Sequence, residues 1–215
     1  MSVRIKDLCA DAAVPEAVAE FWAGLLGLDA ELLPDGDAVL RAGGVPWLWV
    51  NRVSDPKVVK NRVHLDLAVP GREVPGARRL AEFDVFTVYA DPEGNEFCAF
   101  EGDGAVDGLR AGPRAIGLCT DAADPVADAA WWAQRTGARI VPGPDGAPRY
   151  LEDVPGLGMT WKFVPVDDPR TVKNRWHWDV YGEVPGAEVR DRRPDWTVLA
   201  DPAGNEFCAF PEPDE

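Results

Sequence analysis

The phrase DPEGNEFCAF spans Asp91 to Phe100, and DPAGNEFCAF repeats it with a single change from Asp201 to Phe210. The two copies stand 110 residues apart (201 − 91). Each begins with Asp and Pro and has Gly in fourth place, an order that is typical of a type I turn. We expect the first half of each phrase to form a turn, and the second half, EFCAF, to form the strand that follows it.

Other segments are duplicated as well. VPGA at Val74–Ala77 returns at Val184–Ala187 with the same offset, while VKNRVHLDL at Val59–Leu67 returns as VKNRWHWDV at Val172–Val180, 113 residues later (172 − 59). Differences of three residues are length changes that loops absorb. A period this long indicates a duplicated domain rather than a solenoid. We therefore place the first domain at 1–102, a linker at 103–112 and the second domain at 113–215.

Each copy opens with a short strand, predicted at Arg4–Cys9 and at Ala115–Thr120, and continues into a helix. The first helix begins at Pro15 and carries an apolar stripe up to Gly27, which ends it. The second helix has Asp124 as a predicted N-cap, followed by proline at the first helical position.

The rest of each copy is predicted to consist of strands, which in the first copy lie around Ala38–Arg41, around Trp47–Val53 and at Arg62–Val69. A hairpin beginning near Asp84 then leads into the repeated phrase. Between the last strand and the hairpin, Pro75 interrupts any long helix, as Pro185 does in the second copy. We expect a loop or a single helical turn there.

Taken together, the helix signature FW…LLG, the strand KNRVHLDL and the hairpin DPEGNEFC resemble the vicinal oxygen chelate superfamily, which includes glyoxalase I, bleomycin-resistance proteins and extradiol dioxygenases. The resemblance is closest to the glyoxalase-like domain branch and covers nearly the whole chain, once per copy. It implies an α+β fold of two tandem glyoxalase-like domains, each of two βαβββ-type modules with a concave mixed sheet, the second module having a shortened helix. Two copies in one chain would imitate the dimer of shorter members, and the whole chain would be a monomer or a homodimer.

Alternation along the strands sorts the candidate ligand-binding side chains. In the fifth strand of the first copy, Arg62, His64 and Asp66 share one face, and apolar residues occupy the other. The apolar faces should pack under the helices, so the mixed faces line the concave side. The resulting candidates are Arg62, His64, Asp66, Glu96 and Cys98 in the first copy, with Arg175, His177, Asp179, Glu206 and Cys208 in the second.

Tryptophan is frequent, with nine residues in the chain. Core positions are expected for Trp22, Trp131, Trp132, Trp176 and Trp178. Trp47 and Trp49 share a face of the fourth strand, so they are candidates to stack on an aromatic or cationic ligand, with core packing as the alternative.

Metal enzymes of the superfamily place ligands on the first, fourth, fifth and last strands. The fifth-strand position matches His64 and His177, but the last-strand position, normally Glu, is cysteine in both copies, and Asp7 and Gly117 stand at the first-strand position. With two histidines in the chain, one copy cannot supply a two-His-one-carboxylate iron site. We expect no metal and no cofactor. A zinc site of His64, Cys98 and Asp7 stays open as an alternative.

The composition restricts the partners. The net charge of −15 opposes binding to nucleic acid and favours cationic small molecules, unless it serves solubility alone. No apolar run reaches the length of about 18 residues that a membrane span needs, and the N-terminus shows no signal-peptide pattern. We expect a cytoplasmic protein with reduced cysteines.

These observations favour a protein that binds, and thereby sequesters, a small organic molecule such as a toxic or antibiotic compound, in a metal-free cavity. A metal-independent lyase or isomerase, with His64 or His177 and a neighbouring carboxylate as acid and base, is the alternative. A metal-dependent glyoxalase-type enzyme comes third. Whether the protein is an enzyme is left open, because the same histidines could serve only structure and ligand contact.

Overall fold

The computed structural model describes residues 2–102 and 112–213. The first module contains β1 (Arg4–Ala12), α1 (Pro15–Leu26), β2 (Asp29–Leu32), β3 (Ala38–Ala42) and β4 (Val45–Arg52), and the second contains β5 (Val63–Val69), β6 (Arg78–Glu82), β7 (Phe86–Ala90) and β8 (Glu96–Glu101). The third contains β9 (Arg114–Ala122), α2 (Pro125–Thr136), β10 (Arg139–Pro142), β11 (Pro148–Glu152) and β12 (Thr160–Pro165), and the fourth contains β13 (Trp176–Tyr181), β14 (Glu188–Arg192), β15 (Thr197–Ala200) and β16 (Glu206–Phe210). The predicted linker, 103–112, lies outside the described residues except for its last position.

Both helices begin and end at the residues that the sequence predicts. The side chain of Asp124 accepts a hydrogen bond from the backbone N–H of Ala127 at 3.1 Å, which satisfies one of the free donors of the first turn. Gly27 and Gly137 end the two helices in the left-handed conformation, where glycine carries no Cβ penalty.

The strands form two eight-stranded mixed sheets, and each sheet draws on both copies. Sheet A has the order β14-β15-β16-β13-β1-β4-β3-β2, and sheet B has the order β10-β11-β12-β9-β5-β8-β7-β6. The central pairs β1–β13 and β5–β9 are antiparallel and join a first-copy strand to a second-copy strand. The α+β fold of two tandem glyoxalase-like domains is confirmed, but the modules exchange partners: the first module shares a sheet with the fourth, and the second with the third.

A single hydrophobic core fills the space beneath both sheets and includes residues from all four modules. Trp22 of α1 contacts Trp176 of sheet A at a ring-centroid distance of 5.3 Å and Phe97 of sheet B at 5.0 Å. Trp132 of α2 likewise contacts Trp178 of sheet A, at 5.4 Å. The two copies therefore share one core, because each helix packs against both sheets.

The repeated phrase joins the turn to the helix of the same copy. Gly94 N–H donates to the carbonyl oxygen of Asp91 at 3.0 Å, as the predicted turn requires. The carboxylate of Asp91 accepts from the backbone of Asn95 at 2.9 Å and from the indole of Trp22 at 3.2 Å. Asp201 and Trp132 repeat this contact at 3.1 Å in the second copy. These hydrogen bonds from the aspartates of the repeated phrase thus position α1 and α2 against the sheets.

In the second module the helix is reduced to a three-residue 3-10 turn, Pro70–Arg72, in agreement with the prediction. In the fourth module the corresponding segment consists of bends and turns. Within the described residues, no helix is long and apolar enough to cross a membrane.

Candidate functional site

The face of each sheet that is turned away from the helices carries a cluster of polar side chains. Strand pairing places Cys9 opposite His177, and Asp179 opposite Cys208, in sheet A. In sheet B the same pairing places Cys119 opposite His64, and Asp66 opposite Cys98. We call these clusters site A (Lys6, Asp7, Cys9, Trp49, His177, Asp179 and Cys208) and site B (His64, Asp66, Cys98, Gly117, Cys119 and Lys162).

Site B is organised around the carboxylate of Asp66, which is buried. Lys162 Nζ lies 2.7 Å from Asp66 Oδ2, and the Cys119 thiol donates to the same oxygen at 3.1 Å. His64 Nε2 lies 3.6 Å from Asp66 Oδ1 and 3.6 Å from Cys98 Sγ. One ammonium group, one imidazole and two thiols therefore surround one carboxylate.

Site A has the same arrangement of groups around Asp179, with Asp7 as an additional carboxylate. Lys6 Nζ lies 2.5 Å from Asp7 Oδ2 and 3.9 Å from Asp179 Oδ2, so one ammonium group serves two acids. Trp49 Nε1 donates to the Asp7 carboxylate at 2.9 Å. His177 Nε2 lies 3.9 Å from Asp179 Oδ1.

The two lysines reach equivalent places from different strands. The register of β1 with β13 shifts between Ile5 and Asp7, and this bulge leaves Lys6 as the extra residue beside Asp7. In sheet B, Lys162 takes the position on β12 that Trp49 has on β4, since each is the partner of a site cysteine. A Cβ atom at Gly117 would lie 2.9 Å from Lys162 Cε, so glycine makes room for the lysine.

Burial and neighbouring charges determine the protonation of these groups. Burial lowers the pKa of His64, and it lowers the pKa of His177 to about 4. Burial, with the nearby aspartate second, raises the pKa of Cys98 and that of Cys208 to about 12. Both imidazoles are therefore neutral, and both thiols protonated, at neutral pH.

The pKa values of one aspartate and of both lysines are shifted as well. Burial, followed by repulsion from Asp7, raises the pKa of Asp179. Burial alone would lower the pKa of Lys162, but the charge and hydrogen bond of Asp66 outweigh it, and the pKa is raised. Burial would also lower the pKa of Lys6, but the carboxylates of Asp7 and Asp179 outweigh it, and the pKa is raised. Both lysines are cationic.

The metal ion that the superfamily implies does not fit these residues. Candidate ligand atoms do lie within 4.8 Å of one another, in the groups Cys9, His177 and Asp179, and His64, Asp66 and Cys98. The carboxylate of Asp66, however, is already bound by the Lys162 ammonium at 2.7 Å, and that positive charge would repel a divalent ion placed beside it. In each site the lysine supplies the positive charge that a metal would bring.

The structure separates several residues that the sequence grouped together. Trp47 and Trp49 lie in sheet A with His177, not with His64 of their own copy. Trp47 lines a small cavity of about 150 Å³ beside Lys6 and does not share the hydrogen bond of Trp49. The zinc alternative that joined Asp7 to His64 and Cys98 is wrong, because Asp7 belongs to the other sheet.

The predicted arginines and glutamates contact groups outside sites A and B. Arg62 donates to the carbonyl oxygen of Asp168 at 2.6 Å, and Arg175 to that of Asp55 at 2.6 Å, so neither arginine pairs with the aspartate of its own strand. Glu96 accepts from Lys57 at 2.9 Å. Glu206 pairs with Arg170.

Sequence reasoning missed both lysines, Cys9 and Cys119 as members of the sites. The duplicated spacing of the two cysteines was a usable signal for them. For the lysines no such signal exists, because Lys6 and Lys162 do not stand at corresponding positions of the two copies.

The family model of the glyoxalase-like domain matches residues 7–100 and again residues 117–210. The chain belongs to the glyoxalase-like domain family. It therefore contains two tandem copies of a vicinal oxygen chelate domain, as the motifs predict.

Solved structures agree on the fold. Glyoxalase I from Zea mays is 10% identical with a TM-score of 0.60, covering 98% of this chain and 92% of that chain. The cppA protein from Streptococcus pneumoniae TIGR4 is 13% identical with a TM-score of 0.52, covering 97% of this chain and 98% of that chain. At such identities the likeness concerns architecture alone. A comparison with curated proteins finds no match.

Proposed function

We propose that this glyoxalase-like protein binds a small planar organic molecule at sites A and B without a metal ion, and that it sequesters a toxic or antibiotic compound in a cytoplasmic setting. The observation that carries the proposal is the lysine ammonium at the centre of each site. Two different strands deliver it to equivalent places, at 2.7 Å from Asp66 in site B and at 3.9 Å from Asp179 in site A.

Aromatic rings beside each ammonium support the planar character of the ligand. Lys6 Nζ lies 4.5 Å from the ring centroid of Phe210 and 5.7 Å from that of Trp49. Lys162 Nζ lies 5.3 Å from the centroid of Phe100 and 5.9 Å from that of Tyr150. Such rings offer a stacking surface, and the ammonium N–H groups not used by the carboxylate can donate to a carbonyl, hydroxyl or carboxylate oxygen of the ligand.

The ammonium groups also restrict the charge of the ligand. The acidic composition alone favours a cation, but a cationic ligand would be repelled by Lys6 or Lys162 at the centre of the site. Of the two ligand characters expected from the sequence, cationic or aromatic, we therefore retain the aromatic one.

Calorimetric titration with three compounds that share one ring system tests the proposal. We expect naphthoate and naphthol to bind, and the cationic naphthylmethylamine not to bind. Trp49→Ala should weaken binding at site A by more than His177→Gln, which should cost on the order of 1 kcal/mol for one hydrogen bond. Arg139→Gln serves as the control, because it removes an exposed ion pair with Glu152 in the edge strand β10 of sheet B. Binding of the amine alone, or equal affinity in Trp49→Ala, would contradict the proposal.

Proton-transfer catalysis is the second candidate, and one observation favours it. The imidazole of His64 is neutral and lies 3.6 Å from the carboxylate of Asp66, so it could accept a proton from a bound compound. The lowered pKa makes it a weak base, which is why binding ranks first. If wild type converts a ligand chemically, and His64→Gln together with His177→Gln binds it without conversion, the enzyme function replaces sequestration.

A further inference from the structure

A cavity of about 540 Å³ lies between the two copies, outside sites A and B. Its walls are the segments 55–62 and 168–175, which correspond position by position at an offset of 113 (168 − 55). These segments connect β4 to β5 and β12 to β13. Because equivalent residues of both copies face one another, the cavity has an approximate twofold symmetry. Its volume is that of a small-molecule pocket.

Basic side chains outnumber acidic ones among the residues that line this cavity. Six basic side chains line it against three acidic ones, whereas the whole protein has a net charge of −15. The basic residues are Lys57, Lys60, Arg62, Arg170, Lys173 and Arg175. Each of the six has a carboxylate partner within 4.0 Å, so an anion would be bound by the N–H donors that these pairs leave free.

Two of these cations are available to a ligand. Lys60 pairs with Asp121 at 2.5 Å and Lys173 pairs with Asp11 at 2.6 Å, yet their side chains are 58% and 57% exposed. The aspartate partners are buried, at 3% and 6% exposed, but an ammonium group has three donors, so each lysine can keep its aspartate and donate to a second anion. The two lysines are equivalent in the repeat and approach from opposite copies.

The arginines instead fix the shape of the cavity. Arg62 bonds to the backbone of Asp168 across the copies, and Arg175 bonds to the backbone of Asp55 in return. Their side chains are 16% and 11% exposed, respectively. These reciprocal bonds tie the two segments together, so the cavity does not depend on a ligand to form it.

Apolar surface lies beside the exposed cations. Val58, Val59 and Val172 line the cavity and are 68%, 41% and 40% exposed. Exposed valines at a preformed cavity are suited to contact the apolar part of a ligand.

We propose that this cavity binds one organic dianion, whose two anionic groups contact Lys60 and Lys173 and whose apolar body lies against the valines. The approximate twofold symmetry favours a compound with an anionic group at each end. Neither lysine belongs to site A or site B, so the cavity is a third site, set apart by its need for two anionic groups on one ligand.

Calorimetric titration of the full chain with terephthalate, an aromatic dianion, tests the proposal, with benzoate as the monoanionic comparison. We expect one terephthalate per chain and weaker binding of benzoate. Lys60→Gln and Lys173→Gln should each weaken terephthalate binding by a similar factor, about tenfold for one charge-assisted hydrogen bond. Arg78→Gln with Arg190→Gln, at exposed positions outside the cavity, should leave the affinity unchanged.

A second variant separates the site from any effect on the buried aspartates. Val59→Trp with Val172→Trp fills the cavity, keeps every charge and changes only partly exposed side chains, so the protein should melt as wild type and bind no terephthalate. Two equivalents per chain, loss of binding in Trp49→Ala, or unchanged affinity in either the lysine or the tryptophan variants would overturn the proposal. So would the absence of binding to wild type.

Discussion

At the residue scale, one ammonium group is the feature common to both sites. In site A it comes from the bulge of β1, and in site B it comes from β12, where Gly117 leaves the space that the lysine occupies. The histidine, aspartate and last-strand cysteine of each site could be predicted, because they repeat in both copies and alternate along their strands. The lysines could not, since they stand at unrelated positions in the repeat and only the folded sheets bring them to the same place.

Removing the ammonium of site B should destabilise the protein. In Lys162→Met the buried carboxylate of Asp66 loses its cation, and breaking a buried pair in this way costs about 3–5 kcal/mol. Arg139→Met breaks the exposed pair with Glu152 and should cost no more than about 1 kcal/mol. Urea unfolding of both variants measures the difference. Equal stability of the two variants would mean that Lys162 does not hold the site together.

His177 should make stability depend on pH. Its pKa is lowered from 6.5 to about 4 on folding, so the unfolded chain binds a proton more readily than the folded one. The contribution is complete above pH 6.5 and is lost as the pH falls from 6.5 towards 4, by on the order of 3 kcal/mol. His177→Gln lacks this loss, so its unfolding free energy should fall less steeply over that range. Parallel pH profiles of wild type and variant would contradict the burial of a neutral imidazole.

At the element scale, the strands that the sequence predicted are those with one buried face. The four edge strands, β2, β6, β10 and β14, were not predicted. Nearly all their residues are exposed, so no alternation of apolar and polar residues marks them. Charged residues on such edge strands prevent pairing with other chains. They also replace the alternating apolar residues by which a strand is recognised in a sequence.

The loop between β11 and β12 should be sensitive at Gly156. Its φ is +84°, and a Cβ atom there would lie 2.0 Å from the backbone oxygen of Ile5 in β1. Gly146 has a φ of +80° with no atom within 4 Å of the added carbon. Gly146→Ala should therefore cost about 1 kcal/mol for backbone strain alone, and Gly156→Ala should cost a further 1–3 kcal/mol or more for the displaced β1. Thermal unfolding compares them, and equal costs would argue against this docking of the loop on β1.

At the scale of the whole molecule, the exchange of modules means that each site is assembled from both copies. His64 and Cys119, or Cys9 and His177, come from different copies, so neither site exists within one copy. The sequence predicts two copies and a paired arrangement, but strand alternation is the same whichever copy supplies the partner strand. The choice of partner is a property of the packed molecule, in which each helix contacts both sheets.

The two copies should therefore not fold separately as monomers. A fragment of residues 1–102 lacks β13 and β9, the partners of β1 and β5. Because the copies are similar, two such fragments can pair with each other, and a dimer is expected in sedimentation. Mixing it with a fragment of residues 113–215 should give a one-to-one complex. A folded monomer of residues 1–102 would show that the sheets can close within one copy.

A lysine ammonium takes the place of a metal ion at the centre of each site. The metal content of protein purified without chelators, measured by mass spectrometry, tests this most directly. We predict no stoichiometric zinc, iron, nickel or manganese, in wild type and in His64→Ala with His177→Ala alike. One or two equivalents of tightly held metal per chain, lost in the histidine variant, would contradict the account.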